Sequence, residues 1–152
     1  MTPIFLIKSM AAELREVLKD YELIAEGQAD KKVSVYEMYL PTGNFEGDTF
    51  YPAVTVTLRR VEDDFKDTVA EILIVIGVFG GYDNAGWQDL LNIAERIRQY
   101  LMTHLIIGDQ FQQIAPPMFE PVFPDEPSPF YFGQMSVKYL VGTPRGEFNE
   151  TD

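Results

Sequence analysis

Four acidic side chains crowd one short stretch, Glu62, Asp63, Asp64 and Asp67, with Glu71 just beyond. Oxygen ligands so close together invite a calcium or magnesium reading. A calcium loop, however, spaces its ligands regularly around a glycine at the bend, and this run has none. A solvated hairpin tip accounts for it better. His104 is the only histidine and cysteine is absent, so no paired nitrogen or thiolate set for zinc can form. No serine or aspartate can be placed beside His104 as a triad. At a helix C-terminus its charged form would instead suit the dipole. Gly77, Gly80 and Gly81 precede a helix, but Gly-Val-Phe-Gly-Gly-Tyr-Asp has neither dinucleotide-binding nor phosphate-loop spacing. It reads as a tight turn from strand to helix. Asp83 or Asn84 can cap that helix, and Asp89 suits its positive end. The remaining candidates are aromatic. Core packing suits Trp87. Phe119, Phe123, Phe130, Tyr131 and Phe132 lie in a proline-flanked segment that is harder to bury in one small domain. A rigid, ring-rich segment short of backbone donors suits a subunit interface. No catalytic residue, metal site or cofactor is expected.

The chain has 152 residues, enough for one core and one domain. Residues 1–142 are expected to form it, with 143–152 as a flexible tail. Twelve basic against 24 acidic residues give a net charge of −12. That excludes a basic nucleic-acid footprint and a polybasic membrane surface. The longest apolar run, 72–81, is about half of the roughly 20 residues a membrane helix needs. No basic region precedes the short apolar stretch at the start, so a secretory signal is not expected and the cytoplasm is the default location.

The elements that must carry these side chains follow from periodicity. From 4 to 21 the apolar residues Ile7, Met10, Ala11, Leu14, Val17, Leu18 and Tyr21 fall three and four apart, predicting an amphipathic helix after Pro3. A strand is expected over 33–40 and another over 53–61, after Pro52. The acidic run then turns the chain into the most apolar strand, 69–79, as an antiparallel hairpin. The centre of that strand, 72–76, looks covered on both faces. Trp87, Leu90, Leu91, Ala94, Ile97, Leu101 and Leu105 predict a second helix ending near His104. Pro116, Pro117 and Pro121 make 111–123 at most an interrupted or edge strand. A final strand occupies 131–141. The expected fold is α+β: a mainly antiparallel or mixed sheet of four to five strands with two helices on one face.

Read in order, the second half has a recognisable pattern. Ile74-Val75-Ile76-Gly77-Val78-Phe79 leads through a loop to the helix Gly86-Trp87-Gln88-Asp89-Leu90-Leu91-Asn92-Ile93-Ala94-Glu95-Arg96-Ile97-Arg98. Leu101 and a Phe- and Pro-rich segment follow. Asp125-Glu126-Pro127-Ser128-Pro129-Phe130-Tyr131-Phe132-Gly133 then opens the last strand. From about Pro52 to Gly142 the chain resembles the tail terminator, or tail completion, proteins of long-tailed bacteriophages. The resemblance implies a non-enzymatic subunit that forms a homo-oligomeric ring, a hexamer in the tail. Such a ring caps the tail tube, stops its polymerisation and offers the head-joining surface. The implied partners are the major tail tube protein and the head-tail connector or neck proteins. The implied location is the host cytoplasm during assembly, then the head-proximal end of the virion tail. On this reading Glu62, Asp63, Asp64 and Asp67 would line a pore or its rim, where like charge repels DNA phosphates. A head-completion or neck protein is the alternative in the same system. A small-molecule-binding α+β domain is the alternative from another class, and convergent polar groups in a pocket would favour it.

Overall fold

A computed structural model describes residues 2–25, 31–41, 51–80, 85–122 and 129–142. The elements run α1 (Pro3–Leu18), β1 (Ser34–Glu37), β2 (Ala53–Asp63), β3 (Thr68–Phe79), α2 (Gly86–Thr103), β4 (Ile106–Ile107), β5 (Phe111–Val122) and β6 (Phe130–Val141). The six strands form one mixed sheet in the order β1-β2-β3-β6-β5-β4. Only β1 and β2 are parallel; the other described pairs are antiparallel. The α+β class stands as expected, with one strand more than the four to five read from sequence.

The extra strand is β4. Two residues are too short to carry a period. It is made by the turn that follows, where Gly108 and Asp109 both have φ of 61°. Successive left-handed residues fold the chain back with the twist that strands need. Gly108 also lies against α1: a Cβ there would stand 2.6 Å from Ser9 Oγ.

Both helices lie on one face of the sheet. α1 touches β1, β2 and β4, while α2 touches β3, β5 and β6. The strands β1 and β4 sit at opposite edges, roughly 24 Å apart in a flat sheet at ordinary strand spacing. For one helix to reach both, the sheet must curl around α1. Proline at the first helical position starts α1, and Leu6, Ile7, Met10, Ala11, Leu14 and Leu18 form its buried stripe. The opposing layer comes from alternate residues in register across three strands. Val54 pairs with Ile76, Val56 with Ile74, Ile74 with Met135 and Ile72 with Val137. All of these are buried.

The centre of β3 is covered on one face rather than two. Ile72, Ile74 and Ile76 are buried, whereas Leu73 and Val75 on the opposite face are half-buried. β5 is interrupted, as its prolines require: the register against β6 shifts between Gln113 and Ala115 and again between Ala115 and Met118, around Pro116 and Pro117.

Among the described residues, one buried polar group is out of place in the core. Tyr139 is fully buried and its hydroxyl has no hydrogen-bond partner, although Gln113 lies alongside and donates from Nε2 to Leu101 O. Burial pushes its ionisation up. Replacing Tyr139 with phenylalanine should therefore stabilise the protein by about 1 kcal/mol, because it removes an unmet desolvation cost and keeps the ring. Urea titration of the two proteins checks this; a clear loss of stability would show that the hydroxyl is bonded.

Candidate functional site

The face of the sheet that neither described helix covers carries the best candidate surface. At one end of β3, Phe79 meets Phe130 edge to face with ring centroids 5.3 Å apart. Tyr51 packs on Phe130 at 5.2 Å and on Phe132 at 5.8 Å, also edge to face. Gly77 makes this possible: a Cβ there would stand 2.6 Å from the Tyr51 ring and 3.0 Å from that of Phe132. The rings lie on the outer face by strand parity, since Gly77 pairs with Phe132 and Phe79 with Phe130. Met118 and Val122 extend the apolar surface on β5 and are 61% and 56% exposed. Val122 pairs with Phe132.

The five aromatic residues expected to act together are divided between two faces. Phe130 and Phe132 belong to the outer cluster. Tyr131 points the other way and is buried, wedged between two glycines. A Cβ on Gly80 or Gly86 would stand 2.6 Å from its ring. The phenol is thus part of the core, and Gly80 before α2 and Gly86 at its start allow that close packing. Phe119 is half-buried against the core, its ring over Gly133. Phe123 lies outside the described residues, as do Asp83 and Asn84. The proline-flanked segment is divided between two strands, with Phe119 inside β5 and Phe130 at the start of β6. Tyr51 and Phe79 were not expected in the cluster. Their place follows from cross-strand register, which no local pattern reveals.

Trp87 also departs from expectation. It is 45% exposed, because the buried stripe of α2 runs through Gly86, Asp89, Leu90, Ile93, Ala94, Ile97 and Leu101. The aspartate takes the inward place that the periodicity had suggested for tryptophan. Asp89 is wholly buried. Its Oδ1 accepts from the Tyr21 hydroxyl at 2.7 Å and from the Ile24 N–H at 2.8 Å, and its Oδ2 accepts from the Ala25 N–H at 3.0 Å. The Arg96 guanidinium lies 5.2 Å from the Tyr21 ring centroid. Burial, then the bond to Asp89, pushes the Tyr21 ionisation up. Among the described residues the donors at this carboxylate are structural ties, so the group pins the segment after α1 to the first turn of α2.

The acidic run lies at the other end of β3, roughly 36 Å from Phe79 at ordinary strand rise. Glu62 and Asp63 end β2, and Asp64 and Asp67 flank the turn. Asp64 Oδ1 accepts from the N–H groups of Lys66 at 2.7 Å and Asp67 at 2.6 Å. Those two bonds hold its carboxyl below the usual range. Asp63 accepts from the Thr68 hydroxyl at 2.6 Å, and Glu62 lies 3.3 Å from Arg60. Asp63 and Asp64 are thus engaged in shaping the turn, and Glu62 pairs along its own strand. His104 is the C-terminal cap of α2, exposed, with its ring stacked on Tyr100 at 3.9 Å.

An open cleft of about 370 Å³ lies between α2 and β5, lined by Leu91, Asn92, Ala94, Glu95, Arg98 and Phe119. Its carboxylate is already committed: Arg98 bonds Glu95 at 2.6 and 2.8 Å. The bond pushes the Glu95 carboxyl down to about 2. A group so acidic is poorly matched to proton transfer near neutrality.

No family model matches the chain, and no curated protein matches it. Among the described helices, none is long and apolar enough to cross a membrane.

The depressed carboxylates fix the sign of the acid response. Asp64 is lowered by the turn N–H groups, Glu37 by its bond to Lys8 and Glu95 by Arg98. Each contributes stability that is complete above the unfolded value of about 4 and is lost as pH falls through the folded value. Melting temperature should hold between about pH 7 and 5 and fall steadily below about pH 4. Thermal melts across that range test it; rising stability in acid would contradict these contacts.

Proposed function

We propose that this chain is a non-enzymatic structural subunit that assembles with copies of itself into a ring, acting as a tail terminator of a long-tailed phage. The observation that carries the reading is the outer aromatic cluster of Tyr51, Phe79, Phe130 and Phe132, the first three half-buried and Phe132 exposed at its edge, continued by exposed Met118 and Val122 on a sheet face that neither described helix covers. Large apolar surface on a folded domain is the mark of a contact with another molecule. Aromatic residues and methionine are favoured at the centres of such contacts. The order of motifs from Pro52 to Gly142 supplies the second support.

The ring closes at about six subunits, by head-to-tail contacts that bury different patches on each copy. One ring face matches the tube subunit and the other does not, so a tube ending in this ring cannot add another layer. That second face receives the head connector. The acidic hairpins, repeated around the axis, face the pore or its rim and keep the passing genome from sticking. The subunit works first in the host cytoplasm and then at the head-proximal end of the virion tail. The test is electron microscopy of tails made with and without this chain. Omission should give abnormally long tails, and unchanged tail length would overturn the terminator role.

A further inference from the structure

The flank of α2 that looks toward β5 carries a second stripe beside the buried one. Trp87, Leu91, Ala94, Arg98 and Met102 fall three and four apart, which puts them on one side of the helix. α1 lies along the other flank, where Arg96 donates to Val17 O at 3.5 Å. The cleft against Phe119 runs along this stripe, with Leu91, Ala94 and Arg98 in its wall. Trp87 and Met102 are exposed at the two ends of the stripe. Arg98 and Glu95 bond each other, so the lining of the cleft carries no net charge.

The stripe begins at the same end of the sheet as the outer aromatic cluster. The start of α2 lies against the end of β3: a Cβ on Gly86 would stand 2.5 Å from Gly80 Cα. Phe119 lies over Gly133 on the helix side, and Phe132, one residue earlier in β6, is on the outer side. The two surfaces are therefore back to back. One is a concave cleft with a tryptophan at its end. The other offers the exposed side chains of Phe132, Val122 and Met118. Tryptophan is among the side chains most enriched as interface anchors.

We propose that the α2–β5 cleft of one subunit receives the outer face of a second copy, with Trp87 and Phe119 against Phe132 and Val122. This contact rests on the self-assembly reading above and names its second, unlike half. Surfaces on opposite faces of one sheet cannot meet within a molecule. A contact between them leaves each pair of copies with one surface of each kind still free, which is what a closing ring requires. Its apolar groups and the neutralised Arg98–Glu95 pair make it depend little on salt. The acidic hairpin, at the far end of β3, stays outside the contact and is free to face the pore.

Trp87 is the only tryptophan in the chain, so its fluorescence reads the contact directly. As light scattering reports association with rising concentration, its emission should move to shorter wavelength and its quenching by acrylamide should fall. Trp87→Ala and Val122→Asp each change an exposed side chain on one half. Each should remain folded by circular dichroism and weaken association by at least about tenfold, through a lost anchor or a buried unpaired charge. Mixed, they should pair: the intact outer face of the first meets the intact cleft of the second, and assembly stops there because no other intact contact remains. A parent chain that associates with no change at Trp87, or a folded Trp87→Ala variant that assembles like the parent, would overturn this contact and leave self-assembly standing. A mixture that forms no pair would overturn the match of cleft with outer face. A parent chain that never associates would overturn both the contact and the reading beneath it.

Discussion

Replacing Asp89 with alanine is expected to lower stability by about 3–5 kcal/mol, a large share of the 5–15 kcal/mol that holds a domain of this size. The carboxylate is buried and receives three donors, from the Tyr21 hydroxyl and the Ile24 and Ala25 N–H groups. Alanine leaves all three without a partner and opens a void at the first turn of α2. Asparagine keeps the shape and one oxygen. It can still take the Tyr21 and Ile24 donors, but its amide nitrogen then faces the Ala25 N–H. The expected cost is smaller, about 1–3 kcal/mol. Urea unfolding of the three proteins measures both steps. Equal stability of the alanine variant would mean that the segment after α1 is not held by this residue.

Replacing Phe130 and Phe132 together with serine should leave the monomer folded and abolish most of its association. Both rings sit on the outer face; Phe132 is 37% exposed and Phe130 is half-buried against Tyr51 and Phe79. The isolated subunit should lose about 2–3 kcal/mol from the aromatic cluster, less than its total stability. An aromatic anchor buried at the centre of an interface is worth about 2 kcal/mol or more, so losing two should weaken assembly by roughly a thousandfold. Circular dichroism and light scattering separate the two effects. An unfolded variant would assign the rings to the fold. A folded variant that assembles normally would remove this face from the contact.

Both experiments turn on residues that sequence reasoning reached unevenly. The helices and the β2–β3 hairpin were legible because each repeats its apolar residues with a single period over many positions. Asp89 was placed at a helix start, but its burial was not visible: hydrophobic periodicity gives an aspartate no reason to face inward, and its three donors come from another part of the chain. The same blindness put Trp87 in the core. Phe130, Tyr131 and Phe132 illustrate a second limit. Adjacent strand residues alternate faces, so a run of three rings cannot act as one patch unless the strand assignment is known. Once β6 begins at Phe130, the middle ring must go inward, between Gly80 and Gly86. Tyr51 and Phe79 join the outer two only through register with β3 and the approach allowed by Gly77. β4 escaped notice because two residues have no period, and only the turn at Gly108 and Asp109 betrays it.

The mass of the purified chain in solution tests the central claim most directly. Light scattering from dilute to high concentration should show the 17.3 kDa subunit giving way to a particle of about six copies, as the proposed tail-terminator ring requires. A species that stays at the subunit mass at every concentration and ionic strength would contradict the account.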